Sequence, residues 1–372
     1  MDAVNSISCA VLRIARNWTI SELGGWRCIV KHGSRKKFGT IPVQDVLPWG
    51  VEDMPQAQPV TKAATRPKRD PQVLVMPSNG HAHVPLVHRF DAKQREPILR
   101  FVAENNGNSA LILGDTETVL SQLPGGIFQT CVTSPPYWSL RDYNIPGQIG
   151  LEDSVFSYID HLAKVFSQVR RVLKDDGTLW LNIGDSYTSG GRTWRAIDKK
   201  NPVRAMNVRP PTPEGLKPKD LIGVPWLLAF ALQKEGWYLR ADIIWNKPNC
   251  QPESVKDRPT RSHEYVFLFS KSEHYQYDHG AVRGPNDRNV RTVWDIHTKP
   301  YAQAHFATFP SSLVEPCVKI GSRTDDLILD PFIGSGTTGE VALKLDRRFI
   351  GIELNPDYLQ IAEDRLNGAL IK

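Results

Sequence analysis

From about residue 96 onward, short apolar runs alternate with longer segments of helical periodicity, and this alternation constrains the fold more than any other feature. "ALILGD" and "IFQTCVTS" read as strands. "SVFSYIDHLAKVFSQVRRVL" spaces Phe156, Ile159, Leu162, Phe166, Val169 and Val172 on one helical face, and "DDGTLWLNIGD" stops that helix and opens a strand. "DLIGVPWLLAFALQKEG" reads as a helix ended by Gly236, followed by the strands "WYLRADIIW" and "EYVFLFSK". Helix "SSLVEPCVKIG", strand "DLILD", helix "TTGEVALKLD", strand "RFIGIEL" and helix "PDYLQIAEDRLNGAL" complete the run. Such alternation predicts an α/β fold with a doubly wound, mostly parallel sheet covered on both faces. One such domain is expected over residues 96–372, preceded over residues 1–95 by a basic extension and linker.

The chain has 372 residues, 40% of them hydrophobic, enough for one large core. Its net charge of +6 suits a polyanionic partner. The excess is local: residues 1–90 hold 12 of the 46 Lys/Arg and 6 of the 40 Asp/Glu, and the remainder balances at 34 each. Lys31, Arg35, Lys36 and Lys37 cluster among strand-like pieces and suit either a small DNA-contacting module or a solvated basic face. Residues 52–78, rich in Pro, Ala and Gln, read as a linker. His81, His83 and His88 lack the Cys or carboxylate spacing of a metal site and read as a surface loop; no metal is expected. Cys9, Cys28, Cys131, Cys250 and Cys317 are odd in number and far apart, which suits a reducing cytoplasm. Arg13 and Arg16 interrupt any signal-peptide core, and the longest apolar run, "LIGVPWLLAFAL", falls short of the roughly 20 residues that span a bilayer.

"LILDPFIGSGTTGEVAL" places Asp330, Gly334, Ser335 and Gly336 between a strand and a helix. In doubly wound sheets, ligands lie beyond the carboxyl ends of strands, where glycine permits close approach and the helix offers free N–H groups. No Gly-Lys-Ser/Thr follows, so this is not a Walker loop, and Gly334, Gly336 and Gly339 match GxGxxG only weakly. The next strand ends on Glu353, well placed for ribose hydroxyls, while Asp330 would face a cationic amine. A ligand with amine, carboxylate and ribose is S-adenosylmethionine; the plain alternative is a structural turn.

The strand "IFQTCV" stops on "TSPPYWSLRDY". Pro135 and Pro136 fix φ and donate nothing, so their carbonyls and the Ser134 hydroxyl form a rigid shelf of acceptors. Such a shelf suits an exocyclic NH2 group, holding its hydrogens while the lone pair points at an electrophilic methyl. Tyr137 offers a face on which a base swung out of duplex DNA stacks. The alternative is a Pro-rich turn with Tyr137 and Trp138 in the core.

These two motifs, in this order, resemble the β-class DNA amino-methyltransferases, the N4-cytosine/N6-adenine family, whose circularly permuted chains put the Pro-Pro-Tyr motif before the glycine loop. The similarity runs through "GLEDS", "RRVLKDDGTLWLNIGDSY", "GWYLRADIIWNKPN", "PESVKDRPTRSHEYVFLFSK", "HFATFP" and "DPFIGSGTT", over residues 109–368. It implies a Rossmann-like S-adenosylmethionine-dependent fold. It implies catalytic roles for Ser134, Pro135, Pro136 and Tyr137, and cofactor contacts from Asp330, Phe332, Gly334, Ser335, Gly336, Thr337, Thr338 and Glu353. Asp115 and Thr133 would lie near the cofactor, and Phe306, Phe309 and Pro310 around its methionine part. Ser-Pro-Pro-Tyr is mostly associated with cytosine N4 and the Asp/Asn variant with adenine N6, so cytosine is expected, with adenine as the rival. A DNA-binding protein without catalysis is the second rival. In-line transfer to the amine needs no covalent intermediate, so Cys131 is read as an apolar filler rather than a nucleophile, and Asp185 is a candidate proton acceptor.

Double-stranded DNA is the expected partner. Residues 188–220 form a basic, Gly/Pro-rich insertion in which Arg192, Arg195, Lys199, Lys200 and Arg204 are candidate DNA contacts in a mobile loop. Residues 278–301 supply Arg288 and Arg291 as a second insertion. Either is otherwise a solvated loop. Arg258, with Asp257, His263 and Glu264, belongs to a segment near the extruded base or to a simple ion-pair cluster. A cognate restriction endonuclease is a further expected partner; monomer and homodimer both stay open.

Overall fold

A computed structural model describes residues Cys28–Lys31, Phe38–Ile41, 87–104, 109–188, 211–299 and 309–370. The chain divides into two compact units, Met1–Ser78 and Asn79–Lys372. In the first, β1 (Cys28–Lys31) and β2 (Phe38–Ile41) pair antiparallel, in the region where strand-like pieces were read.

The second unit is built on a nine-stranded sheet. Its strands are β3 (Val87–Asp91), β4 (Ser109–Leu113), β5 (Phe128–Thr133), β6 (Leu173–Ile183), β7 (Tyr238–Asn246), β8 (His263–Ser270), β9 (Val293–Asp295), β10 (Leu327–Asp330) and β11 (Arg348–Glu353). Its helices are α1 (Arg95–Glu104), α2 (Thr116–Gln122), α3 (Val155–Val172), α4 (Val224–Lys234), α5 (Ser311–Gly321), α6 (Thr337–Lys344) and α7 (Pro356–Leu370). The strand order is β3-β4-β11-β10-β5-β6-β8-β7-β9, and β8 alone runs against its neighbours. The fold is therefore a mostly parallel, Rossmann-like α/β sheet. The strand leading to Ser134 lies directly beside the strand leading to Gly334, with Ile328 opposite Thr130.

Alternation of side chains fills both faces. On β5, Cys131 joins the core under α1 to α4 while Val132 points to α5; on β8, Phe267 and Phe269 face the first group and Val266 and Leu268 the second. Ile328 and Phe349 pack with Leu359, Ala362 and Leu366 of α7 on that same second face. α3 shows why the periodicity was legible: Val155, Tyr158, Ile159, Leu162, Val165, Phe166, Val169 and Val172 are all buried. Each large apolar side chain so buried stabilises by roughly 1.5–3 kcal/mol. Ser154 caps the helix by accepting from the Ser157 N–H at 3.0 Å. Phe156, placed on the apolar face from sequence, is instead 49% exposed.

The structure differs from the sequence reading at three points. β3 and α1 straddle residue 95, so the division expected there cuts the first strand–helix pair of the domain. β3 is the sheet edge, and "VHRFD" carries no apolar alternation to announce it. His88 is consequently on a strand, stacked near Phe90 and Phe101, rather than in a surface loop. Residues 278–301 are not wholly an insertion, because β9 pairs with β7 and its Trp294 is buried. Three residues are too short a run to register as a strand in sequence.

Candidate active site

All strands but β8 point the same way, so the carboxyl ends of β4, β5, β6, β10 and β11 converge on one edge, joined there by the amino end of β8. At the end of β10 the chain turns through Gly334 and Gly336, with φ of 52° and 85°, into α6. A Cβ at Gly336 would stand 3.0 Å from the Ala362 Cα, so both conformation and space require glycine there. The Gly334 N–H donates to Glu353 Oε2 at 2.9 Å, and the Asn355 N–H donates to Oε1 at 2.9 Å. These backbone donors leave the half-buried carboxylate with acceptor capacity for a further donor. Withdrawal from solvent pushes the Glu353 carboxyl up to about 7, the backbone N–H groups of Asn355, Gly334 and Leu354 opposing that rise.

Asp330 is fully buried and holds the loop from within. Its Oδ1 accepts from the Thr133 hydroxyl at 2.7 Å and the Phe332 N–H at 3.1 Å, and its Oδ2 accepts from the Thr338 hydroxyl at 2.7 Å. Burial raises its pKa to about 6 against these hydrogen bonds. The expected exposure of Asp330 to a cationic amine is therefore corrected: its carboxylate is satisfied inside the protein, where it ties β5, the glycine loop and α6 together.

β5 delivers Ser134, Pro135, Pro136 and Tyr137 to the same edge. The Tyr158 hydroxyl of α3 donates to the Pro136 carbonyl at 2.8 Å, so this acceptor of the shelf is partly used to anchor the shelf itself. Trp138 is buried and donates through Nε1 to the Glu152 carbonyl at 3.0 Å, which leaves it in the core and Tyr137 half-buried at the surface of the site. The Tyr137 hydroxyl donates to Glu264 Oε2 at 2.9 Å, and burial together with that carboxylate drives its pKa well above the ordinary tyrosine value. Gly184 packs against the ring; a Cβ there would meet Tyr137 Cε2 at 2.8 Å. Cys131 is buried, and burial raises its thiol pKa strongly, which suits a filler and opposes a thiolate role.

A shelf of acceptors and a glycine loop locked side by side define the arrangement to which known proteins can be compared. The family model described as DNA methylase, of N6/N4 type, matches residues 128–364. The chain belongs to the N6/N4 DNA methylase family. It is 61% identical over 269 residues to the Type II methyltransferase M.Cfr9I of Citrobacter freundii, covering 71% of this chain and 89% of that protein. It is 61% identical over 262 residues to the Type II methyltransferase M.SmaI of Serratia marcescens, covering 69% and 90% respectively. TTHA0409 of Thermus thermophilus, solved in complex with S-adenosyl-L-methionine, superposes with a TM-score of 0.50 at 26% identity, over 70% of this chain and 94% of that one.

The other residues expected to serve this methylase are placed as follows. Asp115 caps α2, accepting from the Thr118 N–H at 2.8 Å, and so sits at the edge with part of its carboxylate committed. Ser335 and Thr337 are engaged by Arg365 of α7, which donates to the Ser335 hydroxyl at 3.2 Å and the Thr337 hydroxyl at 2.8 Å, and through Nε to Glu340 at 2.7 Å. Phe309 is half-buried and Pro310 precedes α5; Phe306 lies outside the described residues. Asp185 Oδ1 accepts from the N–H groups of Ser186, Gly223 and Val224, each at 2.9 Å, and so serves the start of α4, whose N-cap is Gly223. Arg258 pairs with Glu253 at 2.6 Å and covers the Tyr187 ring at 3.9 Å, an internal commitment at odds with a free DNA contact. Arg288 and Arg291 are exposed. Arg192, Arg195, Lys199, Lys200 and Arg204 lie outside the described residues. Sequence reasoning gave no role to Tyr158, Asn182, Lys247 or Arg365, whose partners lie on other segments and are set by strand pairing or by helix packing.

Proposed function

We propose that this DNA methyltransferase methylates the exocyclic N4 of cytosine in double-stranded DNA, with the base swung out of the helix and the methyl passed directly to the amine. S-adenosylmethionine is the methyl donor, and it supplies an electrophilic methyl on a sulfonium sulfur. The residues fit it: Glu353 has lone pairs for a ribose diol, the glycine loop leaves backbone open to close approach, and α6 begins at that loop. On the base side, Ser134 and the Pro135 carbonyl are assigned to the amine hydrogens and the Tyr137 face to stacking. Positioning is the main contribution of such a site, because the attacking nitrogen needs orientation rather than a charged intermediate.

The observation that carries this reading is the 2.7 Å hydrogen bond from Thr133 to Asp330, which fixes the strand of the base shelf to the strand of the cofactor loop. Cytosine rests on Ser134 in the first position of the shelf. The Type II relatives favour a place in a restriction–modification pair with a cognate endonuclease, and the exposed Arg288 and Arg291 are proposed to meet phosphate.

Transfer of tritium from labelled S-adenosylmethionine to DNA tests the activity, and mass spectrometry of digested nucleosides identifies the base. N4-methylcytosine is expected; N6-methyladenine would overturn the choice of base. Ser134→Ala is expected to lower the single-turnover rate by about tenfold or more, with cofactor affinity unchanged.

A further inference from the structure

Glu264 is the one carboxylate found touching Tyr137 among the described residues. It stands at the amino end of β8, opposite Trp245 of β7. Three donors converge on it from three different elements. Tyr137 arrives from the loop after β5 at 2.9 Å, Asn182 Nδ2 from β6 at 3.2 Å, and Lys247 Nζ from just beyond β7. Each partner is itself held. Asn182 also donates to the Tyr265 carbonyl at 3.1 Å, and Lys247 lies over the Trp245 ring at 4.2 Å from its centroid. Lys247 and Glu264 are each only 18% exposed, so the pair is shielded from salt and water.

A half-buried carboxylate with three donors is an expensive device for mere packing. Its geometry suits another purpose. The Tyr137 ring is held at its hydroxyl by Glu264 and along one edge by Gly184, where no side chain fits. With one end and one edge fixed, ring rotation is suppressed and the plane is set before any base arrives. We propose that Glu264, braced by Lys247 and Asn182, is a positioning residue that acts through the Tyr137 hydroxyl to pre-set the ring for the extruded base. This rests on the methyl-transfer reading above, in which Tyr137 is the stacking face.

The test is a double-mutant cycle read by single-turnover methyl transfer, with S-adenosylmethionine affinity and thermal midpoint measured alongside. Glu264→Ala is expected to slow transfer by about tenfold to a hundredfold, leaving cofactor affinity unchanged. Glu264→Gln, whose amide oxygen still accepts from the tyrosine but whose NH2 turns a donor toward Lys247, is expected to recover part of that loss. In a Tyr137→Phe background, Glu264→Ala is expected to cost less than about twofold, since the hydroxyl it acts through is gone. An equal cost in both backgrounds, no recovery in Glu264→Gln, or a loss confined to cofactor affinity would each overturn the proposal. No transfer by the native chain would instead overturn the functional reading, so the two failures are distinct.

Discussion

At the level of single residues, Glu353 stands beside the glycine loop at the end of β11, where burial pushes its carboxyl up to about 7. The ionised form accepts charge-assisted hydrogen bonds, worth roughly twice neutral ones. Cofactor affinity is therefore expected to fall as pH drops from 8 to 6, by about tenfold, and to become nearly pH-independent in Glu353→Gln; titration calorimetry across that range checks it. The folding contribution has the opposite pH course. Because the folded pKa lies above the unfolded one, the stability it contributes is complete below about 4.3 and is lost as pH rises through about 7. The motif residues were legible in sequence because strand-end chemistry announces itself locally: Ser134 to Tyr137 and Gly334 to Gly336 lie where they were expected. The partners were not. Tyr158 reads only as one more apolar-face residue of α3, yet it holds the Pro136 carbonyl. Nor were the partners of Asp185 legible: its Oδ1 accepts from the first N–H groups at the start of α4.

At the level of elements, the glycine loop and α6 form a rigid seat, held by Asp330 from the sheet and by Arg365 from α7. Gly336→Ala places a Cβ 3.0 Å from the α7 backbone at a φ of 85°. It is expected to cost about 1–3 kcal/mol of stability, read as a lowered denaturation midpoint, and to weaken cofactor binding. Long amphipathic elements such as α3 were legible from periodicity, since one face of eighteen residues repeats the signal many times. α2 and β9, of seven and three residues, carry too few repeats for that, and their identity comes from tertiary pairing.

At the level of the whole molecule, the entire nine-stranded sheet belongs to Asn79–Lys372. A fragment starting at Asn79 is expected to keep cofactor binding and methyl transfer within about twofold of the full chain. One starting at residue 96 loses β3, leaves β4 as an unpaired edge and is expected to aggregate or melt several degrees lower. Solubility, thermal midpoint and tritium incorporation compare the two.

The pairing of β5 with β10 has a consequence for biosynthesis. On the ribosome, the strand leading to Ser134 emerges long before the strand leading to Gly334 that lies beside it. A chain interrupted anywhere between them leaves β5 without the neighbour it pairs with in the finished sheet. The hydrogen bond from Thr133 to Asp330 spans 197 positions of sequence, so closing this pair is a long-range step that folding reaches late.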